Sequence, residues 1–275
     1  MKMKDFLDKN VYITGGSTGI GLSTAKLLAA AGANVIIFAR TKEKLETAIE
    51  EIESRRILQA QRFAFRQLDV ADNTKVNIVM TEAVQNFGIP DLLINNAGRA
   101  LPRCFEEVTF AQFDETMKTN LYGSWNTTTV LIPYMKPGGG AIVNVSSLCG
   151  FMGVFGYTDY CASKFGIIGL SEALRQELRR YDITVSVLCP PDTDTPGYAT
   201  ENICKPEVTR ALSAAAKIMQ PDEVAKVLIE GIKRKTFIII PGVDGKFIYF
   251  MKRHFPFIVE LIMRRGIRKV QKGSV

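Results

Sequence analysis

Ser147, Tyr160 and Lys164 have the residue types and the spacing needed to move a proton. Tyr160 and Lys164 are four positions apart in "YCASK", so on a helix they lie on one face. An ammonium beside a phenol favours the phenolate, so we expect Lys164 to lower the Tyr160 pKa from its ordinary value of about 10. Such a tyrosine can act as a general acid or base near neutral pH. Ser147, thirteen residues before Tyr160, can hydrogen-bond a substrate oxygen.

Asn120 is a fourth candidate, because it can hold a water that relays protons through Lys164. A tyrosine and a lysine four residues apart are common by chance and usually belong to an ordinary surface helix. The serine at its spacing from Tyr160 favours the catalytic interpretation. The sequence therefore predicts a site at which Tyr160 exchanges a proton with a substrate oxygen.

The elements that must position these residues alternate between two kinds of pattern. Apolar, β-branched runs predict strands, and segments with helical periodicity lie between them. The predicted strands cover 11–14, 34–38, 63–65, 91–95, 141–146, 184–188 and 237–240, and the helices lie near 20–31, 42–58, 73–87, 110–135, 158–180 and 221–234. Strands buried on both faces and separated by helices indicate an α/β fold with a doubly wound, mostly parallel, seven-stranded sheet. We expect a single domain over residues 1–243, followed by a C-terminal helical tail over 244–275.

The stretch "TGGSTGIG" follows the first predicted strand and opens a helix. Gly15, Gly19 and Gly21 let the backbone turn tightly, bring a pyrophosphate close to amide groups and let the helix pack on the sheet. Glycines after a strand also serve ordinary tight turns. The combination of strand, glycine pattern and helix favours a nucleotide site.

The end of the second predicted strand bears on the choice of cofactor. An NAD-preferring enzyme usually places an acid there for the ribose hydroxyls, but this strand ends in "FAR" with no acid at Phe38 or Ala39. Arg40 can donate a forked pair of hydrogen bonds to a 2′-phosphate, and Ser17 can add a contact. The alternative is that Arg40 is a solvated residue capping the next helix. The local chemistry favours NADP.

These residues together resemble the short-chain dehydrogenase/reductase family over roughly residues 8–243. The resemblance implies a Rossmann-type fold, hydride transfer from a nicotinamide and a catalytic tetrad of Asn120, Ser147, Tyr160 and Lys164. It also implies that Asp69 contacts the adenine, that the turn after Asn95 flanks the cofactor and that Lys164 binds the nicotinamide ribose. The complete set of expected cofactor-binding residues is Gly15, Ser17, Thr18, Gly19, Ile20, Arg40, Lys44, Asp69, Val70, Asn96, Ala97, Gly98, Tyr160, Lys164, Pro190, Pro191, Thr193 and Thr195.

The stretch "PPDTDTPG" follows the sixth predicted strand, where the family usually has Pro-Gly and then a threonine over the nicotinamide carboxamide. Here Pro191 replaces the glycine, and Thr193 and Thr195 follow. The stretch closely resembles the corresponding segment of 3-ketodihydrosphingosine reductases, which reduce a long-chain amino ketone with NADPH. The alternative is that two prolines only stiffen a loop.

The C-terminal tail carries the whole charge excess of the chain. The net charge is +7, and from Lys246 onward there are eight basic residues and one acid. Pro256 predicts a break between a short segment and a helix from about 256 to 270. Apolar residues at Phe255, Phe257, Ile258, Leu261 and Ile262 precede a cluster of cations at Arg264, Arg265, Arg268 and Lys269. We expect peripheral membrane contact through residues 246–272 and a homo-oligomer, either a dimer or a tetramer. For the tail itself a subunit contact is an equal alternative to membrane contact. Nothing supplies a nucleic-acid recognition motif, and we expect no nucleic acid partner.

Composition excludes several classes of protein. The 275 residues are 47% hydrophobic, which suits a large globular core, and contain no apolar run of about 18 residues. Five scattered cysteines indicate reduced thiols in a cytoplasmic protein. His254 is the only histidine, which argues against a histidine metal site or a Ser-His-Asp triad, and we expect no metal.

The sequence therefore predicts an NADPH-dependent reductase of a long-chain lipid ketone, most specifically 3-ketosphinganine, on the cytoplasmic face of a membrane. A reductase of 3-oxoacyl thioesters or of hydroxysteroids would use the same tetrad. A non-catalytic NADP-binding, membrane-docking protein is a third hypothesis, and the intact tetrad speaks against it. A sphingoid substrate requires an apolar channel open to the tail, whereas a carrier-protein substrate requires a basic patch near the cleft.

Overall fold

The structure, a computed structural model, describes residues 5–214 and 216–273, and beyond residue 270 it describes the backbone only. Within these residues one parallel sheet is built from seven strands: β1 (Asn10–Thr14), β2 (Asn34–Ala39), β3 (Phe63–Gln67), β4 (Leu92–Asn95), β5 (Gly140–Val145), β6 (Ile183–Leu188) and β7 (Ile238–Ile239). Their order is β3-β2-β1-β4-β5-β6-β7, and every neighbouring pair is parallel. This is the Rossmann-type, doubly wound sheet that the sequence predicted.

The helices of the described part of the chain lie on both faces of this sheet and at its C-terminal end. They are α1 (Gly19–Ala30), α2 (Lys42–Glu53), α3 (Asn73–Phe87), α4 (Phe110–Met117), α5 (Gly123–Met135), α6 (Thr158–Leu178), α7 (Pro196–Cys204), α8 (Glu207–Ser213), α9 (Pro221–Lys233), α10 (Val243–His254) and α11 (Pro256–Gly273).

Strand β1 shows why its three central residues, Val11, Tyr12 and Ile13, are all apolar or aromatic. Val11 and Ile13 face a core that includes Leu28 of α1 and Leu228 of α9. Tyr12, between them, faces the opposite core, which lies against α3, α5 and α6. Side chains alternate across a strand, so a strand covered by helices on both sides needs apolar residues in both registers.

Two predicted helices differ from the observed ones. The helix expected near 42–58 ends at Glu53, because the Gln61 side chain accepts the backbone N–H groups of Ile57 and Leu58 outside the helix, at 2.7 and 2.8 Å. The helix expected over 110–135 is divided into α4 and α5 by a π-helical turn, Lys118–Tyr122. That turn carries Asn120, and π-turns inside α-helices frequently mark functional sites.

The tail consists of two helices that pack on the body of the protein. Helix α10 ends at His254 and α11 begins at Pro256, which confirms the predicted break. Helix α11 lies against α8, where a Cβ at Gly266 would be 2.6 Å from Leu212 Cδ2. The placement of the domain boundary at 243/244 stays a prediction. None of the described helices is long and apolar enough to cross a membrane.

Candidate active site

A cleft of about 540 Å³ lies at the carboxyl ends of the central strands, the usual ligand position in a doubly wound sheet. All eighteen predicted cofactor-binding residues line it, as does Ser147. Asn120 does not line the cleft; it lies behind Gly98, where a Cβ would be 3.3 Å from Asn120 Oδ1 and 3.4 Å from Lys164 Nζ. The topology thus brings the predicted residues together from separate parts of the chain.

The glycine loop between β1 and α1 fits the phosphates of a dinucleotide. Gly15 and Gly19 have φ values of +63° and +56°, which side-chain-bearing residues rarely adopt. Thr18 precedes α1 without capping it through its side chain, so the first N–H groups of the helix are available to an anion. A Cβ at Gly21 would lie 2.3 Å from the Gly15 carbonyl oxygen, so glycine is also needed for the loop to fold back on the helix.

Tyr160 and Lys164 project from the first turns of α6, which begins at Thr158. The buried Asp159 carboxylate fixes this helix end to α4, because its Oδ2 accepts hydrogen bonds from Gln112 Nε2 at 3.1 Å and from Thr116 Oγ1 at 2.8 Å. Sequence reasoning did not single out Asp159. An acid directly before the predicted catalytic tyrosine, in the first turn of a helix, was the available signal.

The electrostatics of Tyr160 differ from the sequence prediction. Burial raises the Tyr160 pKa well above its ordinary value, and a hydrogen bond with Ser147 opposes this only in part. The expectation of a lowered Tyr160 pKa is therefore wrong. Lys164 is itself desolvated, which lowers its pKa to about 8. Its Nζ donates to the Val145 carbonyl at 2.9 Å and lies 5.5 Å from the centre of the Tyr160 ring.

Asn120 is buried and its amide is used by protein groups. Its Nδ2 donates to the Arg99 carbonyl at 2.9 Å and to Ser163 Oγ at 3.0 Å, and its Oδ1 accepts from the Arg99 N–H at 2.8 Å. Both amide hydrogens are thus used by protein groups, and Oδ1 can accept one further hydrogen bond. The proton relay through an Asn120-bound water stays a prediction.

Arg40 extends from the end of β2 at the rim of the cleft. Its carbonyl accepts from Gln67 Nε2 at 2.7 Å. The guanidinium is exposed, and no carboxylate within the described ranges pairs with it. Thr41, not Arg40, precedes α2 as its N-cap. The Arg40 side chain is therefore available to an anionic group in the cleft.

The proline loop over residues 190–195 closes one side of the cleft. The Pro190 carbonyl accepts from the Leu148 N–H at 3.2 Å, and Thr193 forms a parallel bridge with Met219. Thr195 caps α7 by accepting from the Tyr198 N–H at 3.1 Å, and its methyl group would be 2.8 Å from a Cβ at Gly19. The loop therefore contacts the glycine loop across the cleft.

Sequence reasoning missed several polar residues of the cleft, among them two tyrosines and two acids. Tyr157, Asp192, Tyr198 and Glu201 line the cavity together with Tyr160. Tyr157 packs beside Tyr160, with ring centroids 5.7 Å apart, and its hydroxyl donates to Glu201 Oε1. Asp192 lies inside the "PPDTDTPG" stretch, but nothing in the sequence indicated that Glu201, nine residues later, would face the same cavity.

Comparison with known proteins gives a consistent relationship. The sequence profile described as short chain dehydrogenase matches residues 9–203. The 3-dehydrosphinganine reductase of zebrafish is 40% identical over 238 residues, which is 86% of this chain and 72% of the zebrafish protein. The 3-oxoacyl-(acyl-carrier-protein) reductase of Thermotoga maritima is 35% identical over 243 residues, which is 86% of this chain and 96% of that protein.

A solved structure agrees with this relationship. The LigD apo form of Sphingobium sp. strain SYK-6 superimposes with a TM-score of 0.76 at 30% identity, covering 93% of this chain and 98% of that one. The chain therefore belongs to the short-chain dehydrogenase family and is an oxidoreductase that uses a nicotinamide cofactor on a small-molecule ketone or alcohol.

Proposed function

We propose that the protein reduces the 3-keto group of 3-ketosphinganine, a long-chain amino ketone, to the alcohol with NADPH. The observation that carries the proposal is a second cavity, of about 700 Å³, between the start of α6 and the tail helix α11. It shares Met152, Val154 and Met263 with the active-site cleft, so the two spaces adjoin. An apolar channel beside the tail is what an alkyl chain requires.

The lining of this second cavity suits an alkyl chain. Its apolar members come from the loop before α6, from α6 itself and from one face of α11: Met152, Val154, Phe155, Ala162, Phe165, Val259, Met263 and Ile267. Burying a methylene against such a surface contributes about 0.8 kcal/mol. Similarity to the zebrafish 3-dehydrosphinganine reductase supports the same substrate.

The chemistry of the cleft suits ketone reduction. Because burial keeps Tyr160 protonated at neutral pH, its hydroxyl can donate a proton to the substrate oxygen. Ser147 would orient that oxygen. The bound nicotinamide supplies the hydride. The Lys164 ammonium, with a pKa of about 8, would then return a proton to the Tyr160 phenolate.

Arg40 supports NADPH as the cofactor. A 2′-phosphate carries negative charge and accepts bidentate hydrogen bonds, which a guanidinium donates well. Arg40, Ser17 and Lys44 all line the cleft, so three side chains can donate to this phosphate. A free ribose hydroxyl would find no acid at this strand end.

The tail supports peripheral contact with the cytoplasmic face of a membrane. Phe247, Phe257, Leu261 and Ile262 are exposed large apolar residues on α10 and α11. The cations of α11 follow them in its later turns. Apolar side chains beside cations are what an interfacial helix presents to anionic lipid. Lys272, the last cation of the expected contact, has a side chain outside the described residues.

A second apolar surface supports a homo-oligomer, either a dimer or a tetramer. Phe110 and Phe113 on α4 and Trp125 on α5 are exposed, and aromatic residues are enriched at protein interfaces. The catalytic domain would then assemble through these helices, which leaves the tail available to lipid.

Reduction of a 3-oxoacyl thioester is the second candidate. The Thermotoga relative supports it, and Lys252, Arg264 and Arg268 at the second cavity would suit an acidic carrier protein as well as anionic lipid. NADPH oxidation measured with 3-ketosphinganine, an acetoacetyl thioester and a ketosteroid separates the candidates. A preference for the first supports the proposal, and a preference for either of the others overturns it.

A further inference from the structure

A buried acid–lysine cluster lies beside the catalytic tyrosine and is not used by the proton chemistry described above. It consists of Tyr157, Asp192, Tyr198, Glu201 and Lys205. Lys205 Nζ lies 3.3 Å from Glu201 Oε1 and 3.6 Å from Asp192 Oδ2. Its ammonium also lies 4.3 Å from the centre of the Tyr198 ring, and the Tyr198 hydroxyl donates to Asp192 Oδ2 at 3.2 Å.

The cluster has two carboxylates and one ammonium, so it carries one unmatched negative charge. Lys205 is 5% exposed, and its Nζ makes ion pairs without completing a hydrogen bond to any described group. The Glu201 side chain is 15% exposed and the Asp192 side chain 31% exposed, so Glu201 is the more deeply placed of the two carboxylates. A buried charge without a partner is costly, so the cluster is suited to receive a further cation.

Each carboxylate also uses only one of its two oxygens within the cluster. The known contacts use Glu201 Oε1 and Asp192 Oδ2. Among the described residues none donates to Glu201 Oε2 or Asp192 Oδ1. Both residues line the cleft that holds Ser147 and Tyr160, and burial raises the pKa of the Glu201 carboxyl, which a bound cation would counteract.

The position of the cluster indicates that the cation it would bind belongs to the substrate. Glu201 accepts from the Tyr157 hydroxyl, and the Tyr157 ring lies 5.7 Å from the Tyr160 ring. Asp192, Glu201 and Tyr160 line the same cleft, so a cationic group bound at the carboxylates and an oxygen that Tyr160 protonates can belong to one ligand. In 3-ketosphinganine an amino group is attached to the carbon next to the keto carbon, and it is an ammonium at neutral pH.

We propose that Asp192 and Glu201 form the subsite for this substrate ammonium, and that Lys205 holds the two carboxylates in place. The inference rests on the proposed function and adds to it the residues that select an amino ketone. It also gives the "PPDTDTPG" stretch a specific part in substrate choice, because Asp192 belongs to it. A 3-oxoacyl thioester has no group for this subsite.

The test compares two ketones in the same protein preparation. These are 3-ketosphinganine and the matching long-chain ketone that lacks the amino group, each assayed with NADPH on the full chain. The variants are Asp192→Asn and Glu201→Gln. Asp194→Asn is the matched control, since Asp194 belongs to the same loop but is exposed and does not line the cleft. The ratio of kcat/KM values for the two ketones does not depend on the folded fraction of the protein. A partly unfolded variant therefore still gives an interpretable ratio.

We expect each cluster variant to lower that ratio by about tenfold or more, because a charge-assisted hydrogen bond to the amine is lost. The control should leave the ratio unchanged. Equal losses on both ketones would assign the cluster a purely structural role and overturn the inference, as would an unchanged ratio. If the wild-type protein prefers an acetoacetyl thioester to both ketones, the proposed function itself has failed; if it prefers 3-ketosphinganine and the variants keep the ratio, only the subsite has failed.

Discussion

Replacing Lys164 with methionine should stabilise the ligand-free protein at neutral pH while it removes activity. Lys164 is 4% exposed, and burial lowers its pKa from 10.5 to about 8. A shift of that size corresponds to a destabilisation of about 3 kcal/mol at pH 7 relative to a fully solvated lysine. Methionine has a similar length and no charge. Part of the gain is offset, because the Val145 carbonyl loses its hydrogen bond from Nζ, at a cost of about 1–3 kcal/mol.

The stability difference between Lys164→Met and wild type tests the assignment more sharply through its pH dependence than through its value at one pH. Between pH 8 and 10.5 the unfolded chain holds the Lys164 proton more tightly than the folded chain does, so the wild-type contribution from this residue becomes more favourable as pH rises. The advantage of the Lys164→Met variant over wild type should therefore shrink by about 2 kcal/mol between about pH 7 and about pH 9.5.

Urea unfolding of wild type and variant, without cofactor, at a series of pH values measures this quantity. Lys226→Met on α9 is a matched control, because it makes the same substitution at an exposed lysine. Its difference from wild type should not change with pH. A Lys164→Met advantage that stays constant over the same range would refute the assignment of Lys164 as a desolvated cation.

Three further outcomes follow from the same structure. Tyr160→Phe should abolish turnover and leave NADPH binding measurable by fluorescence, because only the proton donor is lost; normal turnover would remove Tyr160 from the mechanism. Arg40→Ser should raise the Kd for NADPH by about tenfold or more while changing that for NADH little, since a charged partner of the 2′-phosphate is removed; equal changes for both would show that Arg40 does not select the cofactor. Phe257→Ser should weaken binding to anionic liposomes by about tenfold. Phe105→Ser is the control and should not weaken it, because Phe105 is similarly exposed (74%, against 68% for Phe257) but lies outside the tail. Equal binding of the two variants would exclude the tail as the membrane contact.

Much of the fold could be predicted because its determinants are local. β1 and β2 are apolar in both registers, which follows from burial on two faces, and Pro256 ends one helix and begins another. The π-turn at Lys118–Tyr122 has no such local determinant. Helices α7 and α8 were also missed, because α7 has no buried residue and α8 only Thr209, so neither shows a clear apolar period.

The site was predictable where a motif spans few residues and less so where it depends on burial. The spacing of Tyr160 and Lys164 correctly placed them on one helix face, but it carried no information on solvent access. Burial therefore reversed the expected direction of the Tyr160 pKa. The acid–lysine cluster could not be predicted from the sequence, because Tyr157 and Glu201 are 44 positions apart and come into contact only in the folded chain.

The central claim is hydride transfer from NADPH to the keto carbon of 3-ketosphinganine, and isotopic labelling tests it most directly. The protein would be incubated with 3-ketosphinganine and NADPH carrying deuterium at both positions of the nicotinamide C4, and the product examined by mass spectrometry. We expect sphinganine with a single deuterium on the former keto carbon. Recovery of unreduced ketone, while an acetoacetyl thioester in a parallel reaction becomes labelled, would contradict the account.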